Sequence, residues 1–242
     1  TEIYTLSLHD ALPILRHFTA NRIPLLCRRR TWIRILAVLV VMLAILYLGF
    51  VYILPMDHDE VEHAHVGFKM LQGQIPYRDF YQNHLPAYWL LSMQLVRAYP
   101  FSINAILAGR AVNLLALAGC WALGLLLLNR IRGGRTWFSL SLYTCAFITL
   151  ANEMQFHIAR PDPIMALFAT AGLCMIPARG RITGARALLA GLLFGLALAL
   201  SIKATLVALV VPALVILHCI RARQMKPAAT LVPYGLGVLL AL

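Results

Sequence analysis

Apolar runs recur along this chain near residues 35–54, 106–128, 137–153, 163–178, 187–201, 204–220 and 228–242, and they constrain its fold more than any motif does. Roughly 17–25 such residues cross a bilayer as a helix. Within hydrocarbon the backbone must satisfy its own hydrogen bonds, so runs of this kind read as helices. Charged residues make up 12% of the chain, where a soluble domain carries about a quarter. The expected fold is all-α: a polytopic transmembrane helical bundle whose outer-face loop carries amphipathic interfacial helices.

The net charge of +12 is then a topology signal before it is anything else. Arg28, Arg29, Arg30 and Arg34 precede the first run, and Arg130, Arg132 and Arg135 follow the second. Arg179, Arg181 and Arg186 form the next cluster, and Arg221, Arg223 and Lys226 the last. With all four clusters inside, the runs between them pair up, and the stretch "PAYWLLSMQLVRAYP" cannot cross. It is too short and is bracketed by Pro86 and Pro100. No basic face interleaved with aromatics is present, which excludes a nucleic-acid partner.

The opening "TEIYTLSLHDALPI" has neither the charged start nor the small-residue cleavage site of a signal peptide. Residues 1–14 are therefore expected to be a non-native leader, 15–34 a basic cytoplasmic N-terminus, and 35–242 the membrane domain. The chain lacks an initiator Met and its last apolar run stops in mid-span, so it reads as the N-terminal part of a longer protein. The five cysteines, Cys27, Cys120, Cys145, Cys174 and Cys219, show no metal or disulfide spacing and read as small hydrophobes.

Nine acidic residues exist in the chain, and five of them (Asp57, Asp59, Glu60, Glu62, Asp79) fall between residues 55 and 86. The parity above puts this stretch outside, within an outer loop spanning 55–105. Val61, Ala64, Phe68 and Leu71 make an apolar stripe at helical spacing from Asp59 to Gln72, with Gly73 as a stop. Asp59, Glu62 and His63 then share the polar side. Asp57 as N-cap with Glu60 three residues on forms a capping box, which explains those two without any function.

Asp59, Glu62 and the histidines need another account. A carboxylate at a membrane surface can take a proton from an attacking hydroxyl. Asp59 and His63, one turn apart, could instead hold a divalent metal ion, the one cofactor the residues suggest. Asp162, ahead of Pro163, reads either as an N-cap or as a second functional acid. Lys203 interrupts an apolar run, where a charge is costly. It reads as a snorkelling side chain or, with Arg160 or Arg110, as an anion site for a lipid phosphate. Tyr77, Phe80, Tyr81, Tyr88 and Trp89 fit an interfacial aromatic belt or a platform for a sugar ring.

An Asp-Glu pair just after the first span resembles the C-type membrane glycosyltransferases. So do "GQIPYRDFYQNHLPAYW", "ARPDPIMALFA" and "GLLFGLALALSIKATLVALVVP", in that order over about 32–220. The nearest groups are the protein O-mannosyltransferase-like and lipid A aminoarabinose transferase-like enzymes. The resemblance implies a polyprenyl-phosphate-linked sugar as donor and a glycan, lipid or protein as acceptor. Transfer would invert the anomeric carbon at the periplasmic face of the inner membrane. Asp59 matches the family's catalytic carboxylate, Glu60 is its neighbour, and Asp162 matches the second outer acid. Lys203 matches a basic residue of the later apolar run. Tyr77, Asp79 and His84, within the first motif, are further candidates for substrate contact, as are Arg160 and Arg110. Where the lipid A-modifying branch carries Lys-Pro-Pro, this chain has Asn83-His84-Leu85-Pro86.

Two other classes fit a polytopic chain. A transporter would use Lys203 and Asp162 as pathway charges, though no internal repeat is visible. A membrane sensor subunit would use the outer loop to bind metal.

Overall fold

A computed structural model describes residues 38, 42, 45, 47, 49, 51–82, 84–132, 137–177, 181–221 and 228–242. The backbone divides into two units, 1–53 and 54–242. In the first, every described residue is helical, within the expected span 35–54. The leader 1–14 and the basic segment 15–34 lie outside the described residues.

The second unit is all-helical. Its helices are α1 (His58–Leu71), α2 (Ala87–Ala98), α3 (Asn104–Arg132), α4 (Trp137–Glu153), α5 (Asp162–Met175), α6 (Gly184–Leu200), α7 (Ala204–Arg221) and α8 (Ala228–Ala241). Each apolar run from 106 onward thus forms one helix, and α6 and α7 are separated at Ser201-Ile202-Lys203. By length and composition one described helix, over Asn104–Ile131, is apolar enough to cross a membrane. Its 29 residues in α3 extend about 43 Å at 1.5 Å per residue. Only 17% of its most apolar stretch is buried. The helices α5, α6 and α8 are apolar but shorter.

Helix packing runs from α3 to α5, α5 to α6 and α6 to α8, with α1 laid against α2. The α6–α8 crossing is made by glycine. A Cβ on Gly191 would sit 1.9 Å from the Tyr234 carbonyl oxygen, and one on Gly237 would sit 2.2 Å from that of Leu188. Such close backbone approach lets the two helices pack tightly. Phe194, buried among Ala169, Ala187, Ala190, Val211 and Tyr234, centres the apolar core.

Helix α1 begins as the capping box requires. The Asp59 N–H donates to Asp57 Oδ1 at 3.0 Å, and the Asp57 N–H donates to Glu60 Oε2 at 3.1 Å. It ends at Gly73, whose φ of +82° suits a residue without a Cβ. The buried face is not the expected one. Glu60, His63, Val66 and Gly67 point inward, while Val61 is exposed. Gly67 decides this register, because a Cβ there would meet the α2 backbone at Ser92 and Met93 at 2.8 Å. Polar partners on α2 and α3 then accept Glu60 and His63, and no apolar stripe is needed.

Candidate functional site

The α1 N-terminus meets the residues leading into α5, and the α6–α7 turn meets Asp162 at the start of α5. The innermost contact is a buried ion pair. Arg110, on α3, donates from Nε to Glu60 Oε1 at 2.7 Å and from Nη2 to Glu60 Oε2 at 2.5 Å. The guanidinium also caps the Leu54 and Pro55 carbonyls. Glu60 Oε1 accepts the Ala159 N–H at 2.7 Å. Burial pushes the Glu60 carboxyl up, but Arg110 and the two backbone donors outweigh it and hold it below its ordinary range. Glu60, a candidate catalytic acid, and Arg110, a candidate for substrate contact, are therefore paired with each other and shielded from solvent. Their role is to anchor α1 to α3.

One turn along α3, the fully buried Asn113 donates through Nδ2 to the Ile158 carbonyl and, at 2.9 Å, to that of Arg160. Three consecutive residues, 158–160, are thus gripped by Asn113 and Glu60. What they present is the Arg160 side chain. Its Nη2 lies 2.9 Å from Asp57 Oδ1 and 2.9 Å from Asp59 Oδ2, and its Nη1 donates to Gln155 Oε1 at 3.1 Å. Burial raises the Asp57 carboxyl, while the Asp59 N–H and Arg160 more than reverse it, so it sits below its usual range. Asp59 keeps 30% of its side chain exposed, enough for a substrate to reach it.

Two residues beyond Arg160, Asp162 opens α5. It is not the N-cap: Pro161 occupies that position, without a side-chain cap. The carboxylate instead accepts from Lys203 Nζ at 2.7 Å and from the Ser201 hydroxyl at 3.5 Å. Lys203 is 67% exposed, so the ammonium reaches solvent as well as its partner.

Behind the acids stands an aromatic wall. The His63 ring lies 4.9 Å from Tyr88 and 5.2 Å from His84, centroid to centroid, and the Trp89 Nε1–H donates to His63 Nδ1 at 3.2 Å. Burial, then the neighbouring His84, pushes the His63 imidazole down to about 4, against the opposing pull of Asp59. Nδ1 accepts, so the ring proton sits on Nε2. That is the reverse of a metal-ligating histidine, which donates through its second nitrogen, and it takes His63 out of the expected Asp59–His63 metal pair. Among the described residues, His58, Asp59 and Glu62 bring one ligand atom each within 4.8 Å of one another, and these fit a divalent ion better.

The outer face of the wall is the turn 75–82 with His84. Tyr77 has a φ of +66°, its hydroxyl donates to the His84 carbonyl, and its ring lies 5.8 Å from Trp89. A non-glycine residue in that region is strained, which directs attention to what the ring does. Asp79 accepts the Ile75 N–H at 2.7 Å and two bonds from Arg78; the Arg78 pairing holds its carboxyl at about 2. Its carboxylate closes the turn, which leaves Tyr77 and His84 as the ring candidates of the first motif. Asn113 and Ser201 carried no sequence-level expectation. Asn113, three residues from Arg110, was signalled only as a polar residue within an apolar run.

Comparison with protein-family models, curated proteins and solved structures yields no match for this chain.

Proposed function

We propose that this chain is the membrane domain of a glycosyltransferase that moves a sugar from a polyprenyl phosphate to an acceptor hydroxyl. It is multi-pass in the inner membrane, with its active site on the periplasmic face. One observation carries the reading: Asp59, partly exposed, shares Arg160 with Asp57, beside the Asp162–Lys203 pair. A base and two cations, drawn from three segments, are what inverting transfer from a phosphate-linked donor needs. The exposure of α3, and of Leu206, Val210, Val232, Leu236 and Leu239 on α7 and α8, supports the membrane setting.

In this reading the acceptor oxygen attacks the anomeric carbon as Asp59 takes its proton. The bond from that carbon to the phosphate oxygen breaks, and the electron pair leaves with the polyprenyl phosphate. Arg160 and Lys203 meet the charge that develops there. Arg160 is bidentate in reach but shared between two carboxylates, so the donor phosphate competes with Asp57 and frees Asp59 to act as base. Tyr77 offers its face to the sugar ring. Glu60, Arg110 and Asn113 hold the frame.

The test is a comparison of glycan profiles in cells expressing wild type or Asp59→Asn in place of the native gene product. Loss of one glycan, with normal amounts of protein in the membrane, is expected. An unchanged profile would rule out Asp59 as the base.

A further inference from the structure

The turn between α2 and α3 exposes three large apolar side chains. Tyr99, Phe101 and Ile103 are 44%, 92% and 52% exposed, and Phe101 is the most exposed large hydrophobic residue among those described. It also holds a φ of +52°, in the left-handed region that a residue with a Cβ rarely adopts. Its ring meets that of Phe68 on α1 edge to face, 5.5 Å between centroids. In water both features are unfavourable, because the backbone is strained and an aromatic ring is left uncovered.

The turn is fixed to the start of α3. The Asn104 N–H donates to Ser102 Oγ at 3.2 Å, and the Leu107 N–H donates to the Ile103 carbonyl at 3.1 Å. The 29 residues of α3 extend about 43 Å, which matches the roughly 40–45 Å of a bilayer with its headgroups. A crossing by α3 therefore brings Asn104, and the turn joined to it, to headgroup level. Residues 99–103, Tyr-Pro-Phe-Ser-Ile, carry no charge, so nothing in the turn opposes entry into lipid.

We infer that residues 99–103 are a lipid anchor: Phe101 enters the boundary between headgroups and acyl chains, with Tyr99 and Ile103 beside it. Covering the ring with lipid offsets the strain that turns it outward. The partner is the lipid surface itself, and the contact is apolar rather than electrostatic. Through Phe68 the anchor also ties α1, and with it the acidic cluster, to the membrane surface. The interfacial aromatics thus lie further along the chain than Tyr88 and Trp89, which are buried inside the protein. This rests on the membrane setting of the reading above and is independent of its chemistry.

The test is hydroxyl-radical footprinting of the full, unsubstituted chain, one copy per phosphatidylcholine nanodisc, read residue by residue by mass spectrometry. Each signal is compared with that of the denatured chain. Two residues calibrate it. Leu115, 74% exposed on α3, reports lipid, and the side chain of His58, 86% exposed beside Asp59, reports water. We expect Phe101 to lose its labelling along with Leu115, while His58 labels as freely as in the denatured chain. Labelling of Phe101 at the level of His58, with Leu115 protected, would overturn the anchor and leave the crossing by α3 standing. Labelling of Leu115 and Phe101 together would overturn the anchor and the membrane setting with it.

Discussion

Glu60 and Arg110, fifty positions apart, meet in two hydrogen bonds of 2.7 and 2.5 Å with both side chains hidden from solvent. This contact pins the start of α1 to α3 and, through the Ala159 N–H, holds the residues that present Arg160. Removing one partner leaves the other charge buried and uncompensated. Glu60→Gln should therefore cost about 3–5 kcal/mol, whereas replacing both partners by apolar residues of similar volume should cost much less. Thermal unfolding of the single and double variants checks this, and equal losses in both would refute it.

The α6–α8 crossing depends on one glycine and is indifferent to another. A Cβ at Gly191 collides with backbone, while at Gly235 nothing lies within 4 Å. Gly191→Ala should destabilise by about 3 kcal/mol through overpacking. Gly235→Ala should be neutral or stabilising by about 0.5–1 kcal/mol through helix propensity. The two melting temperatures should move in opposite directions or by very different amounts.

Acid should weaken the fold through His63. Its ordinary value is 6.5 and its folded value about 4, so the unfolded chain takes up this proton first as pH falls. Between those values the unfolded state binds more protons, and stability drops with falling pH by on the order of 3 kcal/mol in all. The stability is fully present above about pH 6.5. Burial also pushes the His157 imidazole down from 6.5 and adds a loss of the same sign below that value, and Glu60 and Asp57, held low in the folded state, add theirs below their ordinary values of 4.5 and 3.8. His63→Gln should flatten the unfolding profile between pH 6.5 and 4; an unchanged slope would show that another group carries it.

Most helix positions were legible in the sequence, because the apolar runs are long and the breaks between them are polar or basic. The capping box at Asp57 and Glu60 and the stop at Gly73 could be read locally, whereas the break between the runs 187–201 and 204–220 came from pairing the runs between basic clusters. The buried face of α1 could not. Hydrophobic periodicity puts Val61 inside, yet Glu60 and His63 are buried by partners fifty and twenty-six positions away, which no local pattern reports. The same holds for Asp162: beside Pro163 it reads as a cap, and only the fold brings Lys203 within 2.7 Å. Asp59, Arg160 and Lys203 were identifiable as residues that a greasy chain has little reason to keep; their pairing was not.

The most direct measurement is native mass spectrometry of the gently purified full-length gene product, with Asp59→Asn and Lys203→Ala prepared beside it. The account predicts polyprenyl phosphate bound to wild type, the sugar-bearing donor retained by Asp59→Asn, and marked loss of both from Lys203→Ala. Folded protein that carries no polyprenyl lipid in any of the three preparations would contradict it.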